Sequence, residues 1–378
     1  MEFRDLKRQY LALQEEINSA MFNVANEGNF ISGKQVSELE KELAEYVGVR
    51  NCITCANGTD ALSIALMAWN IGKDDAVFVP DFTFFATGEV VKYNNATPVF
   101  VDVDFNTYNM SAISLEEAIC KVIAEGKLVP KVIITVDLFG LPADYDAIDM
   151  IAKKYNLLIL EDGAQGFGGS IRNRKACSFG EISTTSFFPA KPLGCYGDGG
   201  AIFTNNDNIA ESIRSICVHG KGADKYDNVR IGLNSRLDTI QAAILKVKLS
   251  AFKNFELENV NDISVHYNEM LKDYVDVPVI KDDFHSSWAQ YTIKLDNIEE
   301  RNNLQIYLKS KEIPSMIYYP KSMHKQSAFR NSISYVNCSV SEMLCDRVLS
   351  LPMHPYMLHD EIELVCDTVK EYLRQLKK

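Results

Sequence analysis

No apolar run in the 378 residues approaches the ~18–20 needed to span a bilayer, so a membrane partner is not expected. Positive charge is short as well. The formal net charge of -12 leaves no general basic surface for nucleic acid, although a local site can still hold an anionic small molecule. The first ten residues, Met1 to Tyr10, are polar and mixed in charge and lack the apolar stretch of a secretory signal; a cytoplasmic location is expected. The six histidines form no H-x-x-x-H pair, and His219, His285, His324 and His354 are scattered, so no metal site is expected. Cysteine is present but unpaired in pattern. Nine residues spread from Cys52 to Cys366 do not make a disulfide framework in a long chain of this kind. The one C-x-x-C, Cys52 to Cys55, reads as part of a strand. What remains, 47% hydrophobic and 24% charged residues, is the composition of an ordinary soluble globular protein with room for two or three domains.

Hydrophobic periodicity gives the organisation. Leu13, Ile17, Met21 and Val24 recur at helical spacing up to Gly28, and Val36–Tyr46 reads as a second helix. Short apolar strands follow at 52–56, 77–80, 98–102, 132–136, 157–160 and 201–204, with helices at 60–68, 115–124 and 145–154 between the earlier ones. That alternation predicts a parallel or mixed sheet covered on both faces. From Asn234 the pattern changes: long helices over 237–271, short strands at 275–280 and 289–295, and helices at 301–311, 341–348 and 360–375. We expect a large domain over 1–250, including the N-terminal helices, and a smaller C-terminal α/β domain over 251–378, divided within a helix.

The segment Ser186-Phe-Phe-Pro-Ala-Lys191-Pro-Leu-Gly-Cys-Tyr-Gly-Asp-Gly-Gly200 carries the chemistry. Lys191 has aromatics and proline before it and glycines after it, a setting suited to a buried amine that bonds a cofactor aldehyde. Such a lysine must be uncharged to react, and a poorly hydrated pocket lowers its pKa. The apolar run 157–160 leads into Glu161-Asp162-Gly163-Ala164-Gln165, which reads as a buried strand with a carboxylate at its end. Asp162 is placed to hold a pyridinium nitrogen protonated; on its own it would read as a helix cap. Gln165, three residues on, is within reach of a ring hydroxyl. Asn57-Gly58-Thr59-Asp60 joins a strand to a helix, where exposed amides and a hydroxyl seat a phosphate or simply cap the turn. Ser186 offers a second hydroxyl. Any one of Phe82, Phe84 and Phe85 offers a flat partner for a pyridine ring. A Schiff-base lysine and a pyridinium aspartate are the polar minimum for pyridoxal 5'-phosphate (PLP). The glycines of Gly166-Phe-Gly-Gly-Ser170 lack the context of a dinucleotide loop.

Four ordered motifs, Asn57-Gly-Thr-Asp-Ala-Leu62, Glu161-Asp-Gly-Ala-Gln165, Ser186–Gly200 and Gly232-Leu-Asn-Ser-Arg-Leu-Asp238, together resemble the DegT/StrS family of nucleotide-sugar aminotransferases. The likeness runs from Phe3-Arg-Asp-Leu6 to Leu351-Pro-Met-His-Pro355. It implies the type I PLP-transferase (aspartate aminotransferase-like) α/β fold: a mostly parallel seven-stranded sheet in a three-layer large domain, plus a smaller C-terminal domain. It implies Lys191 as the Schiff-base lysine, Asp162 as the pyridinium partner, Gln165 near the ring oxygen and Phe84 as the stacking aromatic. Gly58, Thr59 and Ser186 become phosphate contacts. Asn234 is implied to reach the phosphate of a neighbouring subunit, hence a homodimer with shared active sites. Arg236 stands near that junction, where its fork fits a substrate carboxylate or a structural ion pair.

Within the family the resemblance is greatest to enzymes that aminate C3 of a UDP-3-oxo sugar, above all the 2-acetamido-3-oxo-glucuronate transaminases. Those tend to show histidine-tyrosine-proline where this chain has Tyr318-Tyr319-Pro320. Phe30, Tyr319, Lys325 and Gln326 are the candidate acceptor contacts. The implied reaction takes the amino group of L-glutamate and passes it to a nucleotide-linked keto sugar for surface polysaccharide, in the O-antigen manner. Alternatives are a transaminase for another small ketone and a catalytically silent PLP-fold sensor or regulator. A sugar dehydratase of the same family would carry histidine in place of Lys191.

Overall fold

The computed structural model describes residues 1–224 and 226–376. Two helices lead the chain, α1 (Leu6–Glu27) and α2 (Lys34–Val47). Asp5 caps α1 through the Arg8 N–H, and Gly28 closes it at φ 67°, a left-handed conformation that costs glycine nothing. The sheet region follows as β1 (Asn51–Cys55), α3 (Gly58–Ala68), β2 (Asp75–Pro80), α4 (Ala86–Tyr93), β3 (Thr97–Val101), α5 (Ala112–Glu125), β4 (Val129–Val136), α6 (Tyr145–Tyr155) and β5 (Leu158–Asp162). Two short strands, β6 (Ser170–Ile171) and β7 (Arg174–Lys175), precede β8 (Ile182–Ser186), β9 (Gly200–Thr204) and α7 (Asp207–Ile216).

Seven strands form one sheet in the order β1-β9-β8-β5-β4-β2-β3. Only β9 runs against the rest. This is the expected mostly parallel sheet, and its strands are apolar because both faces are covered: Phe78, Val79, Val99, Ile133, Ile134 and Leu160 lie in one continuous core. β8 differs. Ile182-Ser-Thr-Thr-Ser186 is polar yet wholly buried. Its hydroxyls are taken up by the strand beside it: Ser183 donates to the Glu161 carboxylate at 2.7 Å, Thr184 to the Glu161 carbonyl at 3.1 Å, and Thr185 to the Gly163 carbonyl at 3.0 Å. A buried hydroxyl with a partner costs little, so a central strand can be built from residues that look like a loop.

The rest of the chain is helical at first. α8 (Thr239–Ala251) passes through a π-helical turn, Phe252–Glu256, into α9 (Leu257–Leu271). Then come β10 (Phe284–His285), β11 (Tyr291–Lys294), α10 (Ile298–Ser310), α11 (Ser339–Arg347), β12 (Val348–Leu351) and α12 (His359–Leu376). A second core forms here from Tyr267, Tyr291, Ile293, Leu304, Val365 and Val369, among others. Met323 and Phe329 leave it and pack into the core of the large sheet, where Phe329 meets Phe85 and Phe100. The strand expected at 275–280 does not form. Asp276 alone bridges to Lys294, on the edge of β11 opposite its partner β12. Among the described residues no helix is long and apolar enough to cross a membrane.

Because β1, β2, β5 and β8 are parallel in direction, their C-terminal ends open on one edge of the sheet. There Asn57–Thr59, Asp81–Phe85, Asp162 and Ser186 gather, at the crevice where open α/β sheets bind ligands.

Candidate active site

The turn after β1 is capped by Asn57, whose side chain accepts the Asp60 N–H at 2.7 Å and whose carbonyl accepts the Ala61 N–H at 3.1 Å. The cap leaves the Gly58 and Thr59 N–H groups at the positive end of α3, directed outward as an anion seat. Gly58 is required by a close approach: a Cβ there would lie 2.7 Å from the Ser186 Cβ. Ser186, at the end of β8, thus shares one cradle with the α3 N-terminus. Gly200 is required in the same way, since a Cβ there would lie 2.6 Å from the Asn57 carbonyl. A methyl group at Gly58 pushes the two halves of the cradle apart, and overpacking of this kind costs roughly 1–3 kcal/mol. Gly58→Ala should therefore weaken PLP affinity about tenfold, read by titrating the apoprotein with cofactor; unchanged affinity would place the phosphate elsewhere.

Lys191 lies on the loop after β8. Its N–H donates to the Phe188 carbonyl at 2.8 Å, and the Phe188 N–H donates to the Ser186 hydroxyl at 3.2 Å. Burial lowers the Lys191 pKa; the Asp162 charge opposes this and the Arg4 charge adds to it. Asp162 ends β5 at 6% exposure. Burial raises its pKa, while the Ala164 N–H (3.1 Å), the Lys191 charge and the Thr87 hydroxyl (3.1 Å) lower it. The two groups lie close enough for each charge to act on the other in a poorly hydrated site.

The three phenylalanines separate. Phe82 is core, Phe85 packs on Phe329, and Phe84 is 57% exposed with its ring centroid 6.4 Å from that of Tyr319. Phe84 therefore has the open face that a planar ring could cover. Gln165 accepts the Phe139 N–H at 2.7 Å and donates to the Tyr319 hydroxyl at 3.1 Å. The loop bearing Tyr319 thus forms one side of the mouth.

Lys191, Asp162, Gln165, Phe84, Tyr319, Gly58 and Ser186 come together. Other candidates lie apart. Asn234 and Arg236 are exposed, with the Arg236 guanidinium donating to the Asn234 side chain at 2.6 Å, while Ser235 between them is buried and accepts the Ala56 N–H at 3.0 Å. Phe30 is also exposed, its carbonyl accepting the Thr239 N–H at 2.9 Å. Lys325 pairs with Glu342 at 3.2 Å, and Gln326 donates to the Lys321 carbonyl at 3.3 Å. A cleft of about 1430 Å3, lined by Arg50, Asp146, Arg174 and Glu181 among others, shares no residue with this cluster.

Two contributors escape sequence reasoning. Thr87, on α4, is fully buried and orients the Asp162 carboxylate, with Thr83 at 3.2 Å behind it. Their i, i+4 spacing was the available signal. Arg4 donates to the carbonyls of Lys191 (2.8 Å) and Pro192 (3.4 Å), and burial brings its own pKa down to about 10. No local pattern marks it, since 187 positions separate the partners.

The DegT/DnrJ/EryC1/StrS aminotransferase family model matches residues 11–370. The chain belongs to this family. It is 42% identical over 367 residues to the UDP-2-acetamido-2-deoxy-3-oxo-D-glucuronate aminotransferase of Pseudomonas aeruginosa, across 97% of this chain and 98% of that one. The crystal structure of a DegT/DnrJ/EryC1/StrS aminotransferase from Brucella abortus superposes with a TM-score of 0.96 at 49% identity, over 98% of this chain and 99% of the other. A Bacillus subtilis structure with the bound cofactor PMP gives 0.86 at 26% identity, over 96% and 82%. This DegT-family protein is thus an aminotransferase, with PLP as its cofactor. PLP, when bound, supplies the electron sink that stabilises a carbanion. The residues present fit it: a phosphate cradle that a Cβ would fill, a desolvated amine, a buried carboxylate and an open aromatic face. Lys191 would supply the amine that bonds such a group and Asp162 the carboxylate beside its ring nitrogen, with Arg4 hydrogen-bonded to the Lys191 carbonyl and Thr87 to the Asp162 carboxylate.

Proposed function

We propose that the protein transfers the amino group of L-glutamate to a nucleotide-linked keto sugar, at C3 of a UDP-3-oxo sugar, in the synthesis of surface polysaccharide. The observation that carries this reading is the lysine–aspartate–phosphate-cradle set in a chain 42% identical to an enzyme named for a UDP-3-oxo-glucuronate substrate. A relative from Acidithiobacillus ferrooxidans, 36% identical over 98% of this chain, is also named for C3 amination of a UDP sugar. The reaction divides into two half-reactions that share one site, an economy of covalent catalysis.

The protein works as a cytoplasmic homodimer in this reading, with Asn234 and Arg236 serving the neighbouring subunit's site. Support comes from the exposed strip they occupy beside Phe30 and Ile231, the last 86% exposed. Apolar side chains grouped on an exposed surface are what an interface between subunits would cover. Tyr319, at the mouth, serves the acceptor in this reading, with Lys325 and Gln326 on the segment that follows it. The test is a panel of UDP-, dTDP- and GDP-linked keto sugars offered to the pyridoxamine-loaded protein, with products read by mass spectrometry. Amination of a UDP-3-oxo sugar is expected; transfer only to free keto acids would overturn the assignment.

A further inference from the structure

The Tyr319 loop is fastened at a point that the amino-transfer chemistry does not use. Asp81, the first residue after β2, is fully buried. Its carboxylate accepts the His324 backbone N–H at 2.8 Å and meets the His324 Nδ1 at 2.7 Å. Its backbone carbonyl accepts the Met323 N–H at 2.8 Å. The other ring nitrogen, Nε2, lies 3.1 Å from Glu342 on α11, and Lys325 reaches the same carboxylate oxygen at 3.2 Å. Ser322, 3.3 Å from Nδ1, and the Cys338 thiol, held protonated by burial, complete the surroundings. Hydrogen bonding to Asp81 holds the imidazole above the usual histidine range, against the pull of burial, with the charges of Asp81 and Glu342 adding to it.

This fastening joins two walls of one mouth. Asp81 opens the segment that ends in Phe84, the exposed ring. His324 follows Tyr319 by five residues, and Tyr319 touches both Phe84 and Gln165. Charge-assisted hydrogen bonds in a buried setting hold geometry more firmly than neutral ones. Neither Asp81 nor His324 hydrogen-bonds to Lys191, Asp162 or the phosphate cradle.

We propose that Asp81, His324 and Glu342 form a positioning clamp that holds the Tyr319 loop across the cofactor site and sets how tightly the amine-accepting substrate is held. The substrate half of this statement rests on the keto-sugar reading above; the clamp half does not. The test uses the PLP-loaded, full-length protein and its His324→Ala, Asp81→Asn and Glu342→Gln variants, with two readouts. Hydrogen exchange at the Met323 and His324 amides should accelerate at least tenfold in His324→Ala, while the amides of β11 and β12 keep wild-type protection. In kinetics, the glutamate-driven half-reaction should stay within twofold of wild type, while KM for the keto sugar rises at least tenfold. Glu342→Gln should move KM less than threefold, and the Asp81→Asn/His324→Ala pair should be no worse than the poorer single variant. Unchanged exchange at 323–324, or equal slowing of both half-reactions, would overturn the clamp, as would exchange that responds to a chelator. If the wild type aminates no nucleotide-linked keto sugar, the functional reading fails and the exchange result still decides the clamp.

Discussion

Lys191→Ala should lower the rate of amino transfer at least about a thousandfold, since one substitution removes both the nucleophile and the proton carrier. Non-covalent cofactor binding should survive, because the α3 N-terminus and Ser186 are untouched. The measurement is single-turnover conversion of L-glutamate to 2-oxoglutarate by protein loaded to the same cofactor content. A rate within tenfold of wild type would remove Lys191 from its role. The same amine has a pH signature. Its pKa is lowered by burial and by Arg4, against the opposing Asp162 charge, so the uncharged, reactive form is already present at pH values where an ordinary lysine is protonated. Capture of PLP by the apoprotein should therefore rise with pH and level off below the usual lysine range. Arg4→Met should move that midpoint upward by removing a neighbouring positive charge; an unmoved midpoint would mean that the Arg4 charge does not reach the amine.

Asp162→Asn should slow the glutamate half-reaction by two to three orders of magnitude. Asparagine carries no charge and cannot hold a proton on a ring nitrogen, so the electron sink is weakened. The loss should appear in the proton-transfer step rather than in glutamate binding, as a fall in kcat with little change in KM. Thr87→Val should follow the same pattern more mildly, about tenfold, because losing one hydrogen bond to a charged group costs about 1.5 kcal/mol at the low end. Wild-type rates in Asp162→Asn would mean that ring protonation is irrelevant here.

What the sequence disclosed and what it concealed divide by range. β5 and Asp162 were legible because a buried parallel strand is a plain apolar run and its end is marked by a carboxylate. Lys191 stood out through its neighbours, and the turn at Asn57–Thr59 through its cap. β8 was hidden because its serines and threonines satisfy themselves on the β5 backbone and on Glu161, a pairing invisible before the strands are adjacent. The expected strand at 275–280 had the right residue types but makes a single bridge, Asp276 to Lys294. Among the three phenylalanines the local pattern could not choose; burial chose, leaving Phe84 open. Arg4 and the Asp81–His324 pair were concealed for one reason: each links segments far apart in the chain, 187 and 243 residues respectively.

The most direct test of the central claim is borohydride treatment of the PLP-loaded protein, followed by tryptic peptide mapping. A single B6-labelled peptide containing Lys191 is expected. A label on any other lysine, or none after full reconstitution, would contradict a cofactor bonded to the amine at that position.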